Sequence, residues 1–248
     1  MARTLLLRGM LVGLLAGVLA FVVARLLGEG PLSAGISFEQ AAAPAGDSAP
    51  ELVSRTVQST LGLATGTLVF GVAVGGLFAL AYTLAQGRLG SLSARGTALT
   101  VAGGGFLAVY VLPALKYPAN PPGTSNSDTI TDRTQWYFVM LSVSLLVVIG
   151  GTVAARKLSP RLGAWNAGIT VALTGLLVVG VAYAVLPVVD ETPADFRGDV
   201  LWQFRMASSA IQLTLWATLG LVFGALTDRS LRAQRQRTAA GSAAAVRV

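Results

Sequence analysis

Apolar residues in this chain are gathered into blocks of about 18 or more, the length that crosses a bilayer, and this grouping constrains the fold more than any other feature. Six such blocks are read as spans, at about 5–27, 60–85, 97–115, 136–155, 164–187 and 205–227. Charged residues make up only 12% of the 248 residues, about half the share of a soluble domain. The expected fold is therefore all-α: a polytopic transmembrane helical bundle in one domain, residues 1–227, with six spans arranged as three hairpins. The polar, arginine-rich remainder, 228–248, is expected to be a disordered tail. Arg3 and Arg8 ahead of the first block resemble a signal peptide, but that block exceeds the usual ~7–15 apolar residues, so a retained helix is expected.

Lysine and arginine set the orientation. With both termini in the cytoplasm, Arg3, Arg8, Arg88, Arg95, Arg156, Lys157, Arg161 and the five arginines after Asp228 lie inside, twelve basic residues against six outside. Acidic residues are not part of that rule, yet they sort as well. Ten of the eleven fall outside and only Asp228 inside, giving a net charge of −4 outside and +11 inside. The overall +7 is thus a cytoplasmic skirt for anionic lipid headgroups rather than a nucleic-acid patch. A multi-pass protein of the cytoplasmic (cell inner) membrane is expected, with the bilayer as its first partner and a homo-oligomer as a further one.

Several chemistries are excluded. The chain has no cysteine and no histidine, so disulfides, thiolate–imidazole metal sites and histidine acid–base catalysis are absent. Neither lysine follows a glycine-rich phosphate loop, so ATP energy would come from another subunit. No span carries a central charge pair. An enzyme is not expected, nor is a tightly bound cofactor.

The polar insert LPALKYPANPPG (112–123) is stiff where a loop could be loose. Pro113 sits in the last turn of the third span, and Pro118, Pro121 and Pro122 follow. Proline fixes φ and removes a donor, so the chain leaves the membrane as an ordered cap. Lys116 and Tyr117 lie where an amine and a phenol reach the interface. The fifth span exits similarly, LPVVDETP against LPALKYP, and QSTLGLATGTLVFG (58–71) resembles QLTLWATLGLVFG (212–224), as duplicated hairpins would. Facing each other, the two exits would form a vestibule whose cation ligands are Asn120, Asp128, Asp132, Asp190, Glu191, Asp195 and Asp199, with Glu39 nearby. Interfacial anchoring alone also accounts for the insert.

Arg205, Ser208, Ser209 and Gln212 place a polar stripe on one helical face at the start of the last span. Glycines four apart, Gly13/Gly17, Gly62/Gly66, Gly71/Gly75 and Gly220/Gly224, suit close helix packing in lipid. The triplet Gly103–Gly105 could serve either packing or a hinge.

The segments GEGPLSAGISFEQ (28–40), ELVSRTVQST (51–60), FLAVYVLPALKYPANPPG (106–123), DTITDRTQWY (128–137) and FRMASSAIQLTLW (204–216) occur in family order. Through them the chain resembles the CbtA family of predicted cobalt-transporter subunits. The resemblance implies a polytopic membrane protein of cobalt supply, often beside a small histidine-bearing CbtB-like subunit. It marks Glu29, Glu39, Lys116, Tyr117, Pro118, Asn120, Pro121, Pro122, Arg133, Arg205, Ser208 and Gln212 as motif positions. One departure stands out: relatives often carry histidines where this chain reads AAAPAGDSAP (41–50). Oxygen ligands alone suit harder divalent ions, whereas cobalt favours imidazole, so cobalt comes from the resemblance and a divalent cation from the residues. A transport subunit is the expected function, and a non-transporting scaffold that docks a small partner is the alternative.

Overall fold

The computed structural model describes residues 2–42, 53–124, 130–189 and 192–245. Five helices are long and apolar enough to cross a membrane: α1 (Ala2–Ala42), α2 (Arg55–Ala85), α3 (Ala94–Lys116), α4 (Ile130–Val185) and α5 (Gly198–Ala239). No strand occurs among the described residues. Helix is what the chemistry demands, because it satisfies every main-chain donor and acceptor within its own segment.

The count of five differs from the six blocks of the sequence because α4 runs through two of them. It does not run straight. Gly163 has φ 76° and ψ 156°, outside helical space and open only to glycine, and Pro160 precedes it. On either side the chain forms two arms, 130–162 and 164–185. A Cβ placed on Gly151 would lie 3.0 Å from Val171, and one on Gly175 would lie 3.2 Å from Val147. Positions farther before the break on one arm therefore meet positions farther past it on the other, and the arms pack antiparallel.

Contacts divide the chain into two compact units. The first comprises Met1–Leu19, Ala64–Gly103 and Thr214–Val248. Here α1 and α2 pack antiparallel through glycine. A Cβ on Gly13 would fall 2.2 Å from the Gly71 carbonyl oxygen, one on Gly9 2.3 Å from that of Gly75, and one on Gly17 2.6 Å from that of Thr67. Main chains touch main chains, the association that lipid, lacking a hydrophobic drive, requires. Gly220 and Gly224 of α5 make room for the Cβ atoms of Ala102 and Ala98 of α3. Among the described residues nothing lies within 4 Å of a Cβ placed on Gly66, so the Gly62/Gly66 pair makes no close contact with another helix there. Phe223, fully buried, stacks edge-on against Phe78 and Tyr82.

The second unit comprises Ala20–Leu63 and Gly104–Leu213. Its core gathers Tyr117, Met140 and Val179, with Leu112, Val143 and Tyr183 packed around them, so the end of α3 sits against both arms of α4. The glycine triplet 103–105 stays helical, and a π-helical turn follows at Phe106–Val111. Pro113 supplies a reason: its ring crowds the carbonyl four residues back, and a widened turn relieves the clash.

Residues 228–245, which composition marks as an unstructured tail, continue α5 as helix to Ala245. Alanine, arginine and glutamine are strong helix formers, and the helix is already nucleated by the apolar residues before it.

Candidate functional site

Within the second unit, prolines decide which main-chain groups need new partners. Pro187 has no N–H, so the Tyr183 carbonyl four residues earlier has no helical donor. Lys116 Nζ donates to it at 2.8 Å. Pro113 likewise leaves the Val109 carbonyl without its donor, and the Tyr137 hydroxyl reaches it at 3.3 Å. Two further bonds lock the same place: Tyr183 Oη donates to the Leu112 carbonyl at 2.5 Å, and Tyr117 Oη to the Pro187 carbonyl at 2.9 Å. The exit of α3 and the exit of the second arm of α4 are thus bonded side by side.

The polar insert that follows is held as tightly. Arg133 donates to the Pro118 carbonyl. Arg205 donates through Nε to the Ala119 carbonyl at 3.4 Å and through Nη2 to Asn120 Oδ1 at 2.9 Å. Pro121 is buried, Thr124 donates to its carbonyl at 2.7 Å, and Gly123 turns the chain with φ 76°. The loop lies on the far half of α1. A Cβ on Gly35 would fall 2.7 Å from the Pro122 carbonyl oxygen, and one on Gly123 would fall 2.6 Å from the Glu39 Cβ. Phe38 and Phe196 stack edge-on nearby, at 5.1 Å between centroids.

A cleft of about 480 Å³ opens beneath these bonds. Among the described residues its polar lining is Tyr110, Tyr117, Arg133, Thr134, Tyr137, Ser208 and Gln212, and Ile130 and Ile211 belong to its apolar wall. Ser208 and Gln212 belong to the stripe read from the sequence. The Tyr110 hydroxyl shares a 2.8 Å bond with Ser209, which fixes α3 to α5 at this level.

The candidate cation ligands are placed differently. Asp128, Asp190 and Glu191 lie outside the described residues. Glu39, Asp132, Asp195 and Asp199 are described and exposed. Glu39 and Asp195 flank the Phe38–Phe196 contact. Asp199 is paired with Arg197 at 2.6 Å, which raises the guanidinium pKa above its ordinary value, chiefly through that hydrogen bond. Asn120 faces Arg205 rather than open space. Glu29 is held by Arg55 at 2.6 Å and by Arg25 at 3.4 Å, joining the middle of α1 to the start of α2. Among the described residues no three carboxylates come close enough to hold a metal ion. Pro118 and Pro122 belong to the insert just described.

Sequence reasoning gave Tyr137 and Tyr183 no place among the candidate site residues; Pro113, which leaves the Val109 carbonyl without its helical donor, was a signal for a partner such as Tyr137, whereas no proline marks the Leu112 carbonyl that Tyr183 reaches. It also passed over Asp228. In the first unit this buried carboxylate has Oδ2 3.2 Å from Arg95 and 3.0 Å from Arg232, ion-pair distances without hydrogen-bond alignment. Arg8 donates to the neighbouring Thr227 at 3.0 Å, and the fully buried Tyr82 hydroxyl lies within electrostatic reach of both Arg8 and Asp228. Being the one acidic residue on its side of the charge sort was the signal.

Neither a curated protein nor a solved structure matches the chain. A family model does, over residues 2–228, which takes in the first four helices, most of α5 and the whole polar insert, and the chain belongs to the CbtA family, described as a probable cobalt transporter subunit.

Proposed function

We propose that this chain is the membrane subunit of a divalent-cation uptake system whose cargo is cobalt, with six spans and both termini in the cytoplasm. Six spans follow if each arm of α4 crosses the bilayer by itself, as the glycine break and the antiparallel arms support. The arginine distribution supports the orientation.

The observation that carries the reading is the pair of bonded proline exits. Lys116, Tyr117 and Tyr183 tie them into a frame that holds its shape at the mouth of the helices. Glu39, Asp128, Asp132, Asp190, Glu191, Asp195 and Asp199 ring that frame on the sequence reading. Carboxylates spread over a surface raise the local cation concentration without trapping the ion, which suits cargo that must leave again. The chain's own oxygen donors do not select cobalt over harder ions. Nitrogen ligands would come from a small histidine-bearing partner subunit.

A second reading has an observation in its favour. The exit carbonyls that could have met a cation already accept from Lys116, Tyr117, Arg133 and Arg205. A rigid, internally satisfied surface of that kind suits a scaffold that docks a partner.

Uptake of radioactive cobalt separates the two. Asp132→Asn combined with Asp195→Asn lowers uptake at unchanged membrane abundance if the protein conducts the cation. Loss of a co-purifying subunit with no change in the remaining uptake supports the scaffold. Cells lacking the gene that accumulate cobalt normally under cobalt limitation would remove both readings.

A further inference from the structure

The glycine seams of the first unit leave one pair of helices standing apart. Gly9, Gly13 and Gly17 press one face of α1 against α2, and Gly220 and Gly224 turn one face of α5 toward α3. At about 100° per residue, Leu7, Leu11 and Leu15 lie on the side of α1 away from its seam, and Val222 and Leu226 on the side of α5 away from its own. Where these faces meet, branched side chains replace glycine and hold the main chains off. A groove of about 410 Å³ opens there, its lining including Leu7, Arg8, Leu11, Leu15, Val222 and Leu226, with the buried Val12 among them. We propose that it seats one anionic phospholipid, an acyl chain along the leucines and the phosphate at the arginines of its mouth.

Three features point to that ligand. The walls open toward the bilayer: Leu7, Leu11 and Leu226 are 51%, 67% and 40% exposed, surface that hydrocarbon covers in a membrane. The second feature is that charge gathers at one end. Phe223 meets Phe78 and Asp228 comes within reach of Tyr82, so α5 runs alongside α2 and antiparallel to α1. Arg8 donates to Thr227 at 3.0 Å, which sets the level at which α1 and α5 meet. Arg3 stands one turn before Leu7 and Arg229 one turn after Leu226, and the antiparallel run brings both to the same end of the groove. Both are exposed, and neither is in an ion pair among the described residues. Asp228, beside Thr227, faces Arg95 and Arg232, which answer its charge.

The third feature is the order of the two parts. Leucine rows that end in arginine match a molecule whose apolar chain ends in a phosphate, and the guanidinium fork fits phosphate oxygens. A dissolved anion would leave the leucines unused, and a partner's apolar helix would leave the arginines unused. Seated there, a lipid would tie α1 to α5 along the one seam that glycine does not close.

The full chain is placed in nanodiscs of phosphatidylcholine, with and without phosphatidylglycerol, and its melting temperature and retained lipids (by native mass spectrometry) are measured. Phosphatidylglycerol is expected to raise the melting temperature and to stay bound. Arg3→Gln combined with Arg229→Gln is expected to weaken its retention about tenfold. Both arginines are exposed, so the fold is expected to survive, and the readout is the increment due to phosphatidylglycerol. Arg235→Gln combined with Arg237→Gln removes the same charge farther along α5, past the groove, and should keep that increment. Val222→Phe fills the groove with every arginine in place and should also release the lipid. An equal loss in the Arg235 and Arg237 variant would mean a diffuse basic surface and would overturn the proposal. Retention unchanged by Val222→Phe, or no preference for phosphatidylglycerol, would overturn it too. So would inorganic phosphate raising the melting temperature equally in phosphatidylcholine discs, since the site would then take a free phosphate group. None of these outcomes depends on cobalt uptake.

Discussion

Lys116 donates its ammonium to the main-chain carbonyl of Tyr183, a carbonyl that Pro187 has deprived of its helical partner. A side chain on one helix thereby completes the hydrogen bonding of another. The Tyr183 hydroxyl reaches back to the Leu112 carbonyl beside Lys116, so the relation is reciprocal.

Lys116→Met should lower the melting temperature in detergent, since a half-buried carbonyl left unpaired costs about 1–3 kcal/mol. Pro187→Ala restores an N–H four residues after Tyr183. On that background Lys116→Met should cost less, and the double-mutant cycle measures the difference. Equal costs on both backgrounds would mean that the carbonyl is satisfied elsewhere.

Gly13→Leu and Gly71→Leu should each destabilise the first unit strongly, because their Cβ atoms would land 2.2 and 2.4 Å from opposing carbonyl oxygens. Main chain cannot give way as a flexible side chain can, so a cost above the usual ~1–3 kcal/mol of overpacking is expected. Gly66→Ala, with nothing within 4 Å, should be neutral or slightly stabilising. Thermal unfolding of the three variants in one detergent gives the order.

Gly163→Ala tests the break in α4. Its φ of 76° with ψ of 156° is glycine territory, and an L-residue held there costs on the order of 1–3 kcal/mol. If instead the arms form one continuous helix in the membrane, alanine should stabilise. The accessibility of a cysteine introduced at position 162 to a membrane-impermeant reagent, added from either side, locates the turn.

Asp228→Asn should free Arg95 and Arg232 from their shared carboxylate. Both arginines are more than half exposed, so solvent screening holds the loss to about 1 kcal/mol. Asp228→Glu should recover part of it. The difference between wild type and Asp228→Asn should shrink with added salt, and a salt-independent difference would place its cause in packing.

Much of this was legible in the residues. Apolar blocks of span length leave no fold but membrane helices, because lipid offers no water to an unpaired main chain. The prolines at 113, 118, 121, 122 and 187 told where helices stop and which carbonyls lose a donor. The glycine spacing of α1 and α2 told that main chains approach closely. The extension of α5 through Ala245 was not legible from polarity alone, because a helix once nucleated propagates through good helix formers whatever their charge.

The sequence by itself determined the membrane class and, through its prolines, the carbonyls that lose a helical donor, since each is a property of neighbours along one chain. Only the tertiary structure decided who answers the exit carbonyls: Lys116 at Tyr183 and Tyr137 at Val109, both orphaned by proline, with Tyr183 at Leu112 and Arg133 and Arg205 on the insert. It alone showed the two proline exits bonded into one frame by Lys116, Tyr117 and Tyr183, above a cleft whose lining includes arginine and tyrosine. Hydrogen-bond donors carry no address in the sequence. Their partners are fixed when close glycine packing and the turn at Gly163 set which helices stand side by side.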